Sequence, residues 1–230
     1  MLEMILTDKE KLILERIKEG KPFVVKGEFQ DVLTIKEFEN LLNLTPFTNT
    51  QRFETTFSIS RHDWPLPYWH TGTDHWPINI IKKFTDTGVC YIKDCSRASR
   101  KINSICSYIE AQMDNAVDAH IYFSKHKSLK NGFGLHKDFA HNFVIQVDGQ
   151  TRWQVGTNHY TQGPRGLDKF NSDDTISIDV ILEPGDAIFA PAYVYHSTEN
   201  LSKRISVSFP LPEQEAKSFE RREWLEWNKT

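Results

Sequence analysis

A mainly β fold with flanking helices is predicted for this 230-residue chain by three observations. The run Arg204-Ile205-Ser206-Val207-Ser208-Phe209 alternates strictly, placing Ile205, Val207 and Phe209 on one face of a strand and Arg204, Ser206 and Ser208 on the other. Asn142 to Val147 is an apolar, β-favouring run that Asp148-Gly149 closes with a hairpin signal, so Trp153-Gln154-Val155 reads as the return strand. Thr175 to Leu182 leads into the turn Glu183-Pro184-Gly185-Asp186 and then into a short buried strand, Ala187 to Ala190.

The helices precede this β-rich part. Thr7 with Glu10 forms a capping box ahead of Leu12, Ile13, Leu14 and Ile17, and Gly20 and Pro22 mark the stop. Thr34 with Glu37 repeats the device before Phe38, Leu41 and Leu42. A third helix is expected from about Arg97 to Met113, with Ile102, Ile105, Cys106, Ile109 and Met113 on one stripe that packs into the core. A charged tail, Pro212 to Trp227, reads as a last helix whose Phe219, Trp224 and Trp227 pack on the barrel or on a second subunit, with packing in cis the favoured expectation. No repeat or linker divides the chain, so residues 1–230 are expected to form one domain. Its parts are a flanking region (1–115), a β core (116–211) and the terminal helix (212–230).

Composition excludes several classes. A hydrophobic fraction of 39% with 26% charged residues is that of a globular protein rather than a low-complexity chain. The net charge of -3 gives no global attraction to phosphate backbones, which argues against nucleic acid as a partner. No apolar run approaches the roughly 20 residues of a membrane span, and the charged start lacks the apolar stretch of a signal peptide. A cytoplasmic protein, monomer or homodimer, is the expectation. Cys90, Cys95 and Cys106 are too few for a disulfide framework and lack zinc spacing, so reduced, buried thiols are expected.

The chemistry-bearing pattern is His136-Lys137-Asp138 with His196 far downstream. In an extended strand alternate side chains share a face, so His136 and Asp138 point inward while Lys137 points away. His196 follows the Pro191 turn at a strand entrance and supplies a third ligand. Two imidazoles and one carboxylate leave coordination positions open, the arrangement of non-haem Fe(II) sites. His70, Asp74 and His75, in the aromatic and proline-rich stretch Asp63 to Pro77, form a rival set. The prolines argue against a regular strand that presents ligands, and packing of the rings is expected there. His120, His126, His141 and His159 lie outside the motif, and His141 is expected at the surface or behind the ligands. Lys125, Lys127, Lys130 and Lys137 are expected to form a solvated basic face.

On these residues the segments Gly134 to Gly156 and Leu182 to Pro210 resemble the two metal-bearing halves of a JmjC or cupin-like hydroxylase. Lys21 to Gly27 is similar to that family's entry strand, and Asp118 to Phe123 to the strand before the metal loop. The resemblance implies a double-stranded β-helix, a jelly-roll barrel. It also implies Fe(II) held by His136, Asp138 and His196, with 2-oxoglutarate as cosubstrate and O2 as oxidant. Succinate is then formed as a C–H bond is oxidised.

The distal carboxylate of 2-oxoglutarate needs a cation or hydroxyls. Many family members carry Lys or Arg at the position that Thr151 occupies here. Arg204 with Ser206, on the inward face after His196, resembles the Arg-x-Ser pair of other 2-oxoglutarate oxygenases and is the expected site. Thr151 adds a hydrogen bond, and Arg152 is the fallback. Asn142 and Tyr122 are further expected cosubstrate contacts. Three functions follow from the resemblance: hydroxylation of a protein or peptide side chain, the same chemistry on a small molecule, or a metal-binding cupin that does not use 2-oxoglutarate.

Overall fold

The computed structural model describes residues 5–43, 53–56, 89–92, 95–125 and 134–212. The expectations for Asp63 to Pro77, for His126, Lys127 and Lys130 and for the tail beyond Pro212 lie outside the described residues. In chain order the elements are α1 (Asp8–Glu15), β1 (Phe23–Val25), α2 (Ile35–Asn43), β2 (Phe53–Thr56), β3 (Val89–Ile92) and α3 (Arg100–Met113). Then follow β4 (His120–Ser124), β5 (Leu135–His136), β6 (Ala140–His159), β7 (Gly166–Leu167), β8 (Ile176–Leu182), β9 (Ala187–Ala190) and β10 (Val194–Pro212). Among these residues the chain is mainly β with flanking helices, and no helix is long and apolar enough to cross a membrane.

The helix starts follow from their caps. The Thr7 amide donates to Glu10 Oε2 (2.8 Å) and the Glu10 amide to Thr7 Oγ1 (3.1 Å), satisfying two amides that the first turn of α1 leaves unpaired. Thr34 and Glu37 exchange the same pair of bonds ahead of α2. Helix α3 begins at Arg100 rather than Arg97, because Ser99 Oγ accepts the Ile102 amide (3.0 Å) and fixes the start. The nearly buried Lys101–Glu10 ion pair, 2.6 Å long, joins α3 to α1.

All described ladders are antiparallel, in the order β1-β9-β6-β10-β4-β3-β2, with β8 paired to β6 and β5 to both β10 and β7. Strands β6 and β10, 20 and 19 residues long, pair along almost their whole length but change outer neighbours midway. Strand β6 runs beside β9 over Asn142 to Ile145 and beside β8 over Thr151 to Gly156. Strand β10 runs beside β5 at His196 and beside β4 over Arg204 to Ser208.

Here the fold corrects an expectation. Asp148-Gly149 does not turn the chain back, and Trp153 to Val155 continue the same strand β6. Gly149 takes φ 73° opposite a register shift between Asn200 and Arg204, so the two long strands bend together at a bulge. A Cβ on Gly149 would lie 1.6 Å from the Lys203 carbonyl oxygen, which explains the glycine.

Alternation buries both faces of the central strands. Phe143, Ile145, Ala187, Phe189, Val207 and Phe209 join the large core beneath α1 and α3. Their neighbours Val144, Ile188 and Ala190 turn the other way and meet Trp153, Val155, Leu182 and Val194 in a second, smaller core. Along β10 the face opposite Ile205, Val207 and Phe209 carries Arg204, Ser206 and Ser208, all buried. One end of the barrel interior is therefore polar, and burying polar groups there requires partners or a ligand.

Candidate metal centre

His136 and His196 are direct register partners across β5 and β10, and their ring centroids lie 4.5 Å apart. Asp138, two residues past His136, brings Oδ2 to 3.8 Å from His136 Nε2 and 3.7 Å from His196 Nε2. One donor atom from each of the three residues lies within 4.8 Å of the others, and no second such cluster of three occurs among the described residues.

Both imidazoles are held in the tautomer a metal requires. His136 Nδ1 lies 3.0 Å from the Gly134 carbonyl oxygen, and His196 Nδ1 lies 3.0 Å from that of Val194. A carbonyl only accepts, so each Nδ1 carries the proton and each Nε2 offers its lone pair toward Asp138. Burial, then the neighbouring His136, pushes the His196 imidazole down to about 4, so it is neutral near pH 7. Burial works against the Asp138 charge, but His196, His136 and the Arg165 guanidinium outweigh it and hold the carboxyl below its ordinary range. One carboxylate beside two imidazoles whose Nε2 atoms face it is the donor set that suits a divalent first-row metal with open positions. Trp153 stacks on His196 at 5.8 Å and 21° and walls the site.

A second group of polar atoms lies further along the same strands. Arg204 is buried, donates from Nε to Ser206 Oγ (2.8 Å) and from Nη1 to Asn200 Oδ1 (3.4 Å), and sits over the Tyr122 ring at 5.3 Å. No carboxylate faces it among the described residues, and burial pushes its guanidinium down to about 10, opposed in part by Tyr122. Asn200 is the register partner of Thr151. Thr151 Oγ1 and Trp153 Nε1, two residues apart on β6, are buried without hydrogen-bond partners among the described residues. A buried cation lacking a counter-ion, near two orphaned donors, fits an organic carboxylate.

The other expected residues divide. Asn142 donates to Asp138 Oδ2 (2.8 Å) and accepts from Ser208 Oγ (3.2 Å), so in this structure it supports the metal carboxylate. Arg152 is exposed and paired in two bonds with Asp179 (2.8 and 2.6 Å), as strand parity beside Thr151 requires. His141 is half-buried behind the ligand strand, its Nδ1 accepting the Ala192 amide (3.0 Å). His120 lies 3.3 Å from Asp118, and His159 is exposed. Cys95 and Cys106 are buried thiols, the Cys95 Sγ donating to the Ile92 carbonyl at 3.5 Å, and burial pushes the Cys106 thiol up to about 12.

Lys137 requires a correction. It does point away from the ligands, but it is 1% exposed rather than solvated. Its Nζ donates to the carbonyls of Tyr160 (2.7 Å) and Gln162 and lies 5.5 Å from the Tyr195 ring centroid, so backbone oxygens satisfy the buried ammonium. Lys125 is exposed as expected. Arg165, Trp153 and Asn200 were not anticipated. Only Trp153 carried a signal, its parity with Thr151.

A double-stranded β-helix with a two-histidine, one-carboxylate cluster defines the class of protein. The chain belongs to the JmjC-domain family, whose model matches residues 96–219, just over half of its length. Among curated proteins it is similar to the bifunctional lysine-specific demethylase and histidyl-hydroxylase NO66 of Drosophila yakuba, 27% identical over 127 residues that make up 50% of this chain and 18% of that one. The NO66 of Drosophila erecta is 23% identical over 192 residues, 78% of this chain and 26% of that one. Among solved structures, the ribosomal oxygenase YcfD of Escherichia coli superposes with a TM-score of 0.59 at 20% identity, covering 96% of this chain and 58% of that chain. YcfD in complex with cobalt and 2-oxoglutarate gives 0.58 at 19%, covering 91% and 53%. The chain thus spans a minor part of the NO66 proteins and little more than half of YcfD, and the structural likeness shows the fold.

Proposed function

We propose that this chain is an Fe(II)- and 2-oxoglutarate-dependent oxygenase that hydroxylates a protein or peptide side chain in the cytoplasm, as a monomer or homodimer. In this reading His136, Asp138 and His196 ligate iron. Arg204 with Ser206 receives the distal carboxylate of 2-oxoglutarate, aided by Thr151 and flanked by Tyr122 and Asn142. The observation that carries the proposal is a buried guanidinium that faces no carboxylate among the described residues, on the same strand as one member of a complete facial triad.

When bound, iron and 2-oxoglutarate supply the oxidation, in which O2 is consumed, the cosubstrate is decarboxylated to succinate and a substrate C–H bond is hydroxylated. The chain's own residues bind and orient. Gly134 and Val194 fix the imidazole tautomers by accepting from Nδ1. Asn142 and Arg165 hold the two Asp138 oxygens. Trp153 and the second core exclude water on one side. Arg204 anchors the cosubstrate as a planar, permanently charged donor, and its position on β10 substitutes for the cation that Thr151 does not provide.

Protein substrates are favoured because the relatives include a histidyl-hydroxylase and a ribosomal oxygenase. The test combines the protein, Fe(II) and 2-oxoglutarate with ribosomal-protein peptides, read by succinate formation and by a 16-Da mass increase of the peptide, the mass of one oxygen atom. Succinate coupled to that increase is the expected result. Coupling to amino acids or other metabolites instead would favour the small-molecule reading. Absence of both turnover and cosubstrate binding would leave a metal-binding cupin.

A further inference from the structure

The two oxygens of Asp138 have different surroundings. Oδ2 faces both histidine Nε2 atoms and accepts from Asn142. Oδ1 accepts from Arg165 Nη2 at 2.9 Å. Arg165 comes from the loop between β6 and β7, and that loop is fixed to the residues beside the ligands. The Lys137 amide donates to the Arg165 carbonyl (2.9 Å), and Lys137 Nζ donates to the carbonyls of Tyr160 and Gln162. The Tyr195 hydroxyl donates to the Pro164 carbonyl at 2.5 Å. Strand β7 closes the loop by pairing Leu167 with Leu135 and Gly166 with His136. Tyr193 completes the frame, donating its amide to the Asp138 carbonyl and accepting from the Tyr160 amide, both at 2.8 Å.

Strand alternation gives this frame its logic. Lys137 follows one ligand and Tyr195 precedes another, so both project to the side opposite the metal ligands, and there they hold the loop that returns Arg165 to Asp138. An exposed ion pair is ordinarily weak because two long side chains must be ordered in water. Here the Asp138 side chain is only 23% exposed, and the Arg165 backbone is held by the frame, which lowers that ordering cost although its side chain is 63% exposed.

Resting on the metal reading above, we infer that Arg165 is a positioning residue of the metal centre: it occupies Asp138 Oδ1 so that the carboxylate ligates through Oδ2 alone. A carboxylate that swings to use both oxygens takes one more coordination position, and a site for a chelating cosubstrate and a gas needs its remaining positions open. Arg165 therefore sets both how tightly the metal is held and how many positions stay open.

The test uses the full chain with Co(II) as the probe, comparing wild type with Arg165→Met, Arg165→Lys and Tyr195→Phe. Outer hydrogen-bond partners of metal ligands typically contribute about 10–100-fold in affinity. Arg165→Met is expected to lose Co(II) affinity within that range and to change the intensity of the visible cobalt bands, which report coordination number. Arg165→Lys is expected to recover part of both, and Tyr195→Phe to show a smaller loss in the same direction. A purely structural loop contact would lower the melting temperature and leave affinity and spectrum unchanged. Equal Co(II) affinity and identical bands in wild type and Arg165→Met overturn this inference and leave the metal reading standing. A wild type that binds no Co(II) overturns both.

Discussion

His136 on β5 and His196 on β10 oppose each other directly in an antiparallel ladder, 60 residues apart in sequence and 4.5 Å apart between ring centroids. Backbone pairing thus builds the ligand geometry before any metal arrives, and Asp138 completes it from the same segment as His136. Metal should then stabilise by mass action rather than being needed for folding. At 100 times Kd such binding contributes about 2.7 kcal/mol, and a chain of this size gains roughly 2–4 °C per kcal/mol. Co(II) is therefore expected to raise the melting temperature by about 5–10 °C. Asp138→Ala should unfold cooperatively yet lose that rise, as followed by circular dichroism with and without Co(II). An undiminished rise in the variant would remove Asp138 from the ligand set.

Arg204 yields two expectations of opposite sign. Its guanidinium is buried without a carboxylate among the described residues, so the apo fold bears an uncompensated charge. Replacing such a charge by an apolar side chain of similar length is often neutral or stabilising. Arg204→Met is thus expected to keep or raise apo stability. Losing one partner of a buried charge pair typically costs about 2–5 kcal/mol in binding, so 2-oxoglutarate affinity should fall roughly 30-fold or more. Calorimetric titration into the Co(II)-loaded protein measures this. Arg152→Met, which disturbs only the exposed pair with Asp179, should bind almost as wild type; the reverse ranking would move the anchor to Arg152.

Strand parity explains what was legible. The side-chain period of two is a local property, so the polar inner face of Arg204, Ser206 and Ser208 could be read directly, and His136 and Asp138 do converge although β5 ends at His136 and Asp138 lies just beyond it. Capping boxes are local too, and Thr7 with Glu10 and Thr34 with Glu37 form as expected. Asp148-Gly149 misleads because a positive-φ glycine serves a hairpin or a bulge equally well. The choice depends on whether β10 lies opposite, which is a long-range fact. Lys137 was misread because its partners are backbone carbonyls, which leave no trace in residue identity. Arg165 was missed because it lies 27 residues from Asp138 in a loop without periodicity.

Gly149→Ala tests the bulge. At φ 73° an L side chain is strained, and the added Cβ would lie 1.6 Å from the Lys203 backbone oxygen, with Ser202 Oγ at 2.8 Å. Both strands must shift where β10 turns toward Arg204. A loss of about 2–4 kcal/mol is expected in urea unfolding, together with weaker 2-oxoglutarate binding. A hairpin turn with open space around the glycine would instead carry only the left-handed backbone cost of alanine, about 1–2 kcal/mol, with no change in 2-oxoglutarate binding.

His141 connects stability to pH. Its Nδ1 accepts the Ala192 amide at 3.0 Å and its ring stacks on Phe189 at 5.6 Å, an arrangement available only to the neutral imidazole. Burial, and then His159, pushes its pKa below the ordinary value. The unfolded chain therefore takes up a proton near pH 6.5 that the folded chain refuses, so stability rises with pH through this window. The contribution is complete above about pH 6.5 and declines as pH falls toward the depressed folded value. His141→Asn keeps an acceptor near the Nδ1 position and removes the titration. Urea midpoints of the metal-free proteins between pH 7.5 and 5 should show a steeper fall for wild type, by at most about 1.4 kcal/mol per pH unit. His196 titrates alike in both proteins and cancels in the difference, so parallel curves would mean that the folded protein accommodates a protonated His141.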